Sequence, residues 1–293
     1  MSGGFKAAPG TLDWLPERSV VRRHVLEAAR RLFEAAGYRE WHVPVFEEIA
    51  LFARTAGATS DVVRKEMYDF VDRGERHLCL RPEFTAGVLR AYLEHGMSRW
   101  PQPVRLWSAG MVFRFDRPQK ARYREFMQFN PECIGSADPA ADAELIALHY
   151  RWLELLGLGA VELELNSIGD TADRPAYVAR LVEFLDRHLD DLAEDVRQRR
   201  TTNPLRAFDT KDERSQRILA EAPKISDHLS PAAREHFEAV RAYLDARGVP
   251  YRLEPTLVRG LDYYCRTTWE FKWPSLAAQS TIGAGGRYDG FSE

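Results

Sequence analysis

Strand-like segments occupy both ends of this 293-residue chain, and a helical stretch from about 171 to 248 lies between them. The segments predicted as strands are 104–115, 126–134, 160–166, 249–254, 262–272 and the residues around 279–282. Segregated strands and helices are typical of an α+β fold, whereas alternating βαβ units predict a parallel sheet. The chain is therefore predicted to be an α+β protein with a mostly helical insertion. The expected divisions are 1–170, 171–250 and 251–293.

The clearest helix signal lies at 19–36, where apolar residues recur at helical spacing and charged residues fall on the other face. Gly37 is expected to end this helix, and Pro44 to interrupt the extended chain that follows. A polar turn at 72–75 predicts a hairpin between 67 and 80. Further helices are expected at 85–95 and 141–157.

The composition is ordinary for a globular protein, with 45% hydrophobic and 29% charged residues. No apolar run approaches the roughly 20 residues of a membrane span, and the first residues lack the apolar region of a signal peptide. The three cysteines are widely spaced, unlike a disulfide or metal framework. We expect a reducing, cytoplasmic location without a membrane partner. The net charge of −3 argues against indiscriminate nucleic-acid binding.

A loop rich in cations joins the strands predicted at 104–115 and 126–134. Its basic residues are Arg114, Arg117, Lys120, Arg122 and Arg124. Guanidinium groups hold phosphate oxygens in a planar fork, so this loop suits a nucleotide triphosphate. Phe126, at the start of the second strand, can stack on a base. The alternative is a solvated hairpin loop without a ligand.

Two segments near the end of the chain combine arginine, tyrosine and glycine. Arg259 precedes Gly260, which has no side chain and lets the cation approach a ligand closely. Tyr263 and Tyr264 then offer hydrogen-bonding groups for a polar aromatic ligand. The second segment, 283–290, is predicted to be a glycine-dense turn. The alternatives are a strand end with core tyrosines and an ordinary hairpin.

Glu83 and Thr85 place a carboxylate and a hydroxyl at a predicted helix start. Both could bind a ligand, but Thr85 could equally be a helix cap and Glu83 a first-turn carboxylate. The arginines within 197–206 form a candidate basic patch. The alternative for them is a solvated helix end, balanced by the acidic residues at 190–195.

Taken in order, these segments resemble those of the histidyl-tRNA synthetases, a family of class II aminoacyl-tRNA synthetases. The resemblance covers nearly the whole chain and is carried by 10–16, 37–47, 61–68, 81–85 and 113–126. The segments 257–264 and 284–290 resemble the two stretches distinctive of histidine-specific members. The resemblance implies a class II synthetase-like antiparallel sheet flanked by helices.

The resemblance also implies a role for each candidate site residue. The expected contacts to the α-amino end of histidine are Glu83, Thr85 and Gln128. The expected imidazole partners are Glu132 and Tyr264, with Tyr263 and Tyr288 lining the pocket. The residues expected at ATP are Arg114, Arg122, Phe126 and Arg259. Of these, Arg114 and Arg259 would flank the α-phosphate and act in catalysis.

The implied reaction forms histidyl-adenylate from L-histidine and ATP, with Mg²⁺ on the phosphates, and then transfers the histidyl group to tRNA(His). Positioning and charge stabilisation carry most of the barrier reduction in such a step. No side chain is assigned as a metal ligand. The helical insertion resembles a domain that clamps the tRNA acceptor stem in the family, which implies that the basic patch at 197–206 contacts tRNA. Pro44 belongs to a motif that packs across a homodimer interface in the family.

Three positions depart from the family pattern: Asp116 replaces a glutamate, Phe84 stands where glycine is common, and Met127 replaces a usual histidine. The chain also stops before the glycine-rich motif 3 and the anticodon-binding domain, so we expect an incomplete enzyme with little aminoacylation of its own. One alternative is the histidine-binding regulatory subunit of ATP phosphoribosyltransferase, which tends to lose the catalytic arginines. Another is a dimerising pseudo-enzyme that binds histidine without chemistry.

Overall fold

The computed structural model describes residues 4–55, 63, 66–116, 122–258 and 263–290. The chain divides into two compact units. Unit 1 comprises Met1–Ala137, Leu148–Gly159 and Ser275–Ser280, and unit 2 comprises Asp138–Ala147, Ala160–Pro274 and Thr281–Glu293. This division follows compactness alone, so the domain boundaries expected at 170 and 250 stay a prediction.

Most of the first helices and strands agree with the segments predicted from sequence, with ends that shift by a few residues, but the helix Ile49–Thr55 was not predicted. In chain order they are α1 Pro16–Ala35, β1 Arg39–Glu40, β2 Phe46–Glu48, α2 Ile49–Thr55, β3 Asp69–Val71, β4 His77–Leu80, α3 Thr85–Glu94, β5 Val104–Phe113 and β6 Glu125–Ile134. α1 begins earlier than predicted because Pro16 suits the first turn of a helix, where its missing N–H is not needed. The helix ends before Gly37, whose φ of 85° favours glycine.

A hairpin of two long strands dominates the first sheet of unit 1. β5 and β6 pair antiparallel from Val104 opposite Ile134 to Phe113 opposite Glu125, while β1 lies parallel to β5. A second sheet has the order β2-β4-β3 and contains the hairpin predicted at 67–80. α3 and β5 share a buried apolar cluster that includes Val88, Ala91, Leu106 and Val112.

The later elements include the helical stretch predicted from 171 to 248. They are α4 Pro139–Leu155, β7 Glu162–Ser167, α5 Arg174–Arg187, α6 Glu194–Thr202, α7 Glu213–Ala220, α8 Pro231–Ala246, β8 Arg252–Leu253, β9 Cys265–Lys272 and β10 Thr281–Arg287. Short 3₁₀ helices lie at Met97–Arg99, Leu189–Asp191, Pro204–Asp209, Ile225–His228 and Pro274–Gln279. The Asp212 side chain caps α7 and that of Ser230 caps α8, which satisfies backbone N–H groups of the first turn.

The sheet of unit 2 has the strand order β10-β9-β7-β8. β9 pairs antiparallel with both β7 and β10, and β8 lies parallel to β7. The helices of this unit enclose a buried apolar cluster that includes Tyr177, Leu181, Leu185, Val196, Leu219 and Ile225. No helix in the described parts of the chain is both long and apolar enough to cross a bilayer.

The prediction of a glycine-dense turn at 283–290 is wrong, because 283–287 lie in β10. A Cβ at Gly285 would lie 2.3 Å from Trp269 Cζ2, and one at Gly286 would lie 2.5 Å from Tyr264 Cδ1. These two glycines leave space for neighbouring aromatic rings instead of allowing the chain to reverse.

Candidate active site

Side chains alternate between the two faces of β6, and one face carries predicted site residues. Phe126, Gln128 and Glu132 share this face with Asn130, which the sequence interpretation missed. Asn130 Nδ2 donates to Glu132 Oε1 at 2.8 Å. The period of two was the signal that could have found it, because every second residue of a strand points to the same side.

Glu83 lies just before α3 and accepts hydrogen bonds from the first turn of that helix. Its carboxylate oxygens accept from the N–H of Thr85 at 2.5 Å and from the N–H of Ala86 at 2.9 Å. Glu83 thus satisfies donors that a helix N-terminus leaves unpaired. The Thr85 hydroxyl donates instead to Glu132 Oε1, at 2.6 Å. Glu83, Thr85 and Glu132 therefore form one buried polar cluster in unit 1.

The protonation of Glu83 is shifted by its surroundings. Burial raises the pKa of Glu83 to about 7; the two backbone N–H groups oppose this shift, and the charge of Glu132 adds to it. Within the described part of the chain, no cation pairs with this carboxyl group. A buried carboxyl group whose pKa lies near 7 is a candidate for binding a cationic group of a ligand, because the positive charge would favour its ionised form.

Gln128 supplies a further acceptor on the same face. Its Oε1 is buried and meets no hydrogen-bond donor among the described residues. Buried polar atoms of this kind are uncommon in folded proteins. The residue opposite Gln128 on β5 is Gly110, so no side chain from that position covers the amide. A ligand N–H at this place would satisfy the oxygen.

Arg114 and Phe126, both predicted to bind ATP, lie together in unit 1. Arg114 Nε donates to Pro82 O at 2.9 Å, and its guanidinium carbon lies 5.4 Å from the centroid of the Phe126 ring. Arg122 is placed differently, because its guanidinium pairs with Asp116. Two other basic residues of the loop, Arg117 and Lys120, lie outside the described residues.

Arg81 is a buried cation beside the start of α3. Its guanidinium lies 4.1 Å from the centroid of the Phe84 ring. Its Nε donates to Met111 O and its Nη1 to Val43 O, both at 2.9 Å. Gly110 leaves space for this group, since a Cβ there would lie 2.6 Å from Arg81 Nη2. Arg81 therefore joins β5 and the segment after β1 to the loop that precedes α3.

The structure shows where the three departures from the family pattern lie. Phe84 is 1% exposed and packs in the apolar core of unit 1, not into an open pocket. Met127 lies on the opposite face of β6 from Gln128 and lines a groove between α1 and β5. Asp116 is the partner of Arg122.

In unit 2, Tyr263 contacts both Tyr264, the predicted imidazole partner, and Tyr288, which was predicted with Tyr263 to line the pocket. The ring centroids of Tyr263 and Tyr264 are 4.6 Å apart, and Tyr288 meets Tyr263 edge-on at 5.9 Å. Tyr264 is also part of the buried apolar cluster, as the alternative of core tyrosines expected. Arg259, the predicted catalytic cation of this segment, lies outside the described residues.

The arginines of the candidate basic patch are engaged with acidic neighbours. The ion pairs are Arg199 with Asp195, Arg200 with Asp186, and Arg206 with Asp209. Arg197 donates to the backbone oxygens of Leu192 and Asp190. This pairing favours the alternative of a balanced helix end over a basic patch that is ready for phosphates.

Comparison with known proteins gives a consistent result. A family model described as histidyl-tRNA synthetase matches residues 10–293. The histidine–tRNA ligase of Thermus thermophilus is 49% identical over 290 residues, which are 98% of this chain and 69% of that protein. The structure of apo histidyl-tRNA synthetase from S. aureus aligns with a TM-score of 0.77 and 37% identity, and covers 98% of this chain and 67% of that chain.

A structure described as an ATP phosphoribosyltransferase regulatory subunit/histidyl-tRNA synthetase from Bacillus halodurans aligns with a TM-score of 0.70 at 22% identity. The alignment covers 97% of this chain and 76% of that one, and it shows a shared fold alone. The S. aureus structure confirms the predicted α+β, class II synthetase-like fold. Because the family model and a relative of nearly half identity both match almost the entire sequence, the chain belongs to the histidyl-tRNA synthetase family.

Proposed function

We propose that this chain supplies the residues with which a histidine–tRNA ligase binds L-histidine and ATP, activates the amino acid and transfers it to tRNA(His). A relative named for that activity, 49% identical to this chain, supports the proposal. The observation that carries it is the buried cluster of Glu83, Thr85 and Glu132, with the unsatisfied oxygen of Gln128 on the same strand face as Glu132. Acceptors gathered in this way suit a ligand that brings several N–H groups.

The α-ammonium group of histidine is assigned to Glu83 and Gln128. An ionised Glu83 pairs with the positive charge, and the ammonium donates one N–H to Gln128 Oε1, which no described residue satisfies. Thr85 keeps its place between the two carboxylates because its N–H binds Glu83 and its hydroxyl binds Glu132. Binding of the ammonium therefore adds a cation beside Glu83 and a donor for Gln128 Oε1, neither of which the described residues provide.

As the family resemblance implies, the imidazole ring is assigned to Glu132 and Tyr264. Thr85 and Asn130 both donate to Glu132 Oε1, which fixes the carboxylate as an acceptor for a ring N–H. Tyr264 serves the other ring nitrogen, and Tyr263 and Tyr288 line the pocket. An analogue without a ring nitrogen leaves a buried polar group unpaired, which is a large penalty against the wrong substrate.

Activation is proposed to be an in-line displacement at the α-phosphorus of ATP. An oxygen of the histidine carboxylate forms the new P–O bond, and the bond to the pyrophosphate oxygen breaks. Arg114 supplies a fixed positive charge for the α-phosphate because Pro82 O orients its Nε. Arg259 is assigned as the second cation. Phe126 stacks on adenine, beside the guanidinium of Arg114.

The outer phosphates are assigned to Arg122, which must exchange Asp116 for the ligand. No group of three or more His, Cys, Asp or Glu that could hold a metal occurs among the described residues. We assign Mg²⁺ to the ATP phosphates, since this ion commonly enters active sites with a nucleotide. When bound, it neutralises charge on those phosphates.

A homodimer is part of the proposal. α1 and its flanks expose large apolar side chains, with Leu15, Val20 and Val21 each at least half exposed. Phe46, close to Pro44 in the motif that forms the family's interface, is also more than half exposed. Apolar groups clustered on a surface mark sites of association. Tandem Val20→Glu and Val21→Glu changes are expected to give monomers in sedimentation velocity runs in which the wild-type chain forms dimers.

The transfer step requires tRNA(His). We assign the binding of this tRNA to the helices of the predicted insertion at 171–250. The arginines of 197–206 contribute only by exchanging their aspartate partners for phosphates. A cytoplasmic location is proposed because ATP and tRNA, the substrates of the reaction, are found there.

Histidine-dependent exchange of pyrophosphate into ATP, together with calorimetric titration of histidine, tests the proposed function. Glu83→Gln is expected to weaken histidine binding by about tenfold to a hundredfold, the usual loss of a charged hydrogen bond. Glu164→Gln is the matched control, because Glu164 is a buried glutamate in unit 2 that has no role in the proposed site. Both measurements are made on this chain and on one extended through motif 3. Histidine binding without exchange activity even in the extended chain would favour the pseudo-enzyme alternative, and no binding at all would refute the proposal.

A further inference from the structure

A buried cluster of charged and polar groups in unit 2 contains none of the residues assigned to histidine or ATP. Its centre is Asp142 on α4, whose Oδ1 accepts from Arg287 Nη1 at 2.8 Å. The other oxygen, Oδ2, accepts from Thr267 Oγ1 at 2.6 Å and lies 2.8 Å from His236 Nε2. All four side chains are at most 7% exposed. The cluster thus joins α4, α8, β9 and β10.

The orientation of His236 follows from its second neighbour. Arg266 Nη1 lies 3.3 Å from His236 Nδ1, and a guanidinium can only donate, so Nδ1 is the acceptor. His236 Nε2 therefore carries the hydrogen that is donated to Asp142. Arg266 is itself held by Asp170, at 2.6 Å from Nε to Oδ1. Asp142 is consequently fixed by donors on three sides.

Arg287 extends from this cluster to the end of β10. While Nη1 holds Asp142, its Nε donates to Asp289 Oδ2 at 2.7 Å. Burial lowers the pKa of Arg287, but the charges of Asp142 and Asp289 outweigh it and the pKa rises. Only the forked guanidinium can bind both carboxylates at once in this geometry. Tyr288 lies between the two anchored positions, 287 and 289.

The anchored segment carries the aromatic contacts of the proposed pocket. The Tyr288 ring meets Tyr263 edge-on, and Tyr263 packs on Tyr264 with centroids 4.6 Å apart. Tyr264 in turn occupies the space that Gly286 leaves open. A shift of Tyr288 is therefore expected to move the other two rings, since packed side chains have little free volume.

We propose that Arg287, held by Asp142, is a positioning residue that fixes Tyr288 and, through it, Tyr263 and Tyr264 for recognition of the imidazole ring. This inference rests on the proposed function, which assigns these tyrosines to the histidine pocket. Arg287 does not touch the substrate in this account. It acts by holding both ends of the short segment that contains Tyr288.

A second charged cluster on the same sheet provides a comparison. Glu164 on β7 is 2% exposed and pairs with Lys272 Nζ at 2.6 Å and with Arg252. This cluster joins β7, β8 and β9, but no tyrosine of the proposed pocket lies beside its members in sequence. Loss of a pair here is expected to affect stability without changing the affinity for histidine.

The experiment compares Arg287→Lys and Asp289→Ala with Lys272→Met in the full chain. Arg287→Lys keeps the charge but cannot bridge both carboxylates, and Asp289→Ala removes the half-exposed partner with little risk to folding. Histidine and a non-hydrolysable ATP analogue are titrated by calorimetry. Tyrosine ring signals are recorded by NMR with ¹³C-labelled tyrosine and assigned through Tyr288→Phe.

We expect both Arg287→Lys and Asp289→Ala to weaken histidine binding by about tenfold, with unchanged affinity for the ATP analogue. Both changes are expected to shift the Tyr288 and Tyr263 ring signals even without histidine. Lys272→Met is expected to leave the signals and both affinities as in the wild type. These results would support a positioning role.

Unchanged ring signals or unchanged histidine affinity in both Arg287→Lys and Asp289→Ala would overturn the inference. An equal loss of histidine affinity in Lys272→Met would also overturn it, because general destabilisation would then explain the effect. If the wild-type chain binds no histidine, the proposed function fails and the recognition role fails with it. The ring signals recorded without ligand distinguish that case from a failure of Arg287 to fix the tyrosines.

Discussion

Glu83 in unit 1 and Asp142 in unit 2 are both buried carboxylates, 4% and 6% exposed, but their surroundings are opposite. Asp142 accepts from a guanidinium, a hydroxyl and an imidazole. Glu83 accepts from two backbone N–H groups, has Glu132 as a negatively charged neighbour, and meets no cation among the described residues. The charge of Asp142 is thus compensated by the fold, whereas that of Glu83 is not, and this difference supports the proposed role of Glu83 in ligand binding.

The largest expected effect is the loss of stability in Asp142→Asn. The change removes a charge from beside Arg287, which stays buried with less compensation, so the free energy of unfolding should fall by about 3–5 kcal/mol. Urea denaturation measures it. Glu235→Gln, at an exposed position next to His236 on α8, is the control and should change stability by less than about 0.5 kcal/mol. A small effect of Asp142→Asn would remove the contrast with Glu83.

The second effect concerns the pH dependence of stability. Glu83 has a pKa of about 7 in the folded chain against an ordinary value of 4.5, so between these values the folded state keeps a proton that the unfolded chain has lost. Its contribution to stability therefore falls as pH rises through this range, by on the order of 3 kcal/mol. The free energy of unfolding of Glu83→Gln, compared with that of the wild type, should therefore increase as the pH rises from 5 to 8. Parallel pH curves for the two proteins would contradict this account.

A smaller effect is expected on histidine binding. In the proposed function the ionised form of Glu83 binds the α-ammonium group, so affinity should increase about tenfold from pH 6 to pH 8 as the carboxyl group loses its proton. Glu83→Gln should lose this gain. Titration of the ligand's own imidazole changes the affinity of both proteins equally. This contribution cancels in the ratio of the dissociation constants of Glu83→Gln and the wild type. A ratio that does not change with pH would show that Glu83 does not meet the ammonium.

The smallest effect comes from a matched pair of threonines. Thr85 and Thr267 each donate a hydroxyl hydrogen to a buried carboxylate at 2.6 Å, Glu132 and Asp142 respectively. Replacing either by valine should lower the free energy of unfolding by about 1 kcal/mol. Only Thr85→Val should also weaken histidine binding, because Asp142 keeps Arg287 and His236. Equal loss of affinity in both variants would mean that the two carboxylates do not differ in role.

Much of unit 1 could be predicted from local sequence. The period of two in β6 places Gln128 and Glu132 on one face, and the position before α3 gives Glu83 its place at a helix start. Phe84 could not be interpreted in this way. Its ring lies in the core beside the Arg81 guanidinium, and Gly110, distant in sequence, leaves space for both groups.

The Asp142 cluster could not be predicted, for a physical reason. Its contacts join residues 94, 125 and 145 positions apart, and local patterns do not report such pairs. Asp142 in a helix and His236 in another have the appearance of surface residues in sequence. The glycines of β10 were wrongly predicted to form a turn for a similar reason, because the aromatic rings that require them belong to other segments. The role of Arg259 stays a prediction.

The hydrogen bonds of Arg81 have a consequence for how unit 1 responds to acid and base. Its acceptors are peptide carbonyls, which do not titrate, and burial lowers its pKa without bringing a guanidinium near neutrality at working pH. The scaffold beside Glu83 thus keeps the same charge over the range in which Glu83 itself gains or loses a proton. The backbone around Glu83 is therefore held by groups whose charge does not change over that range of pH.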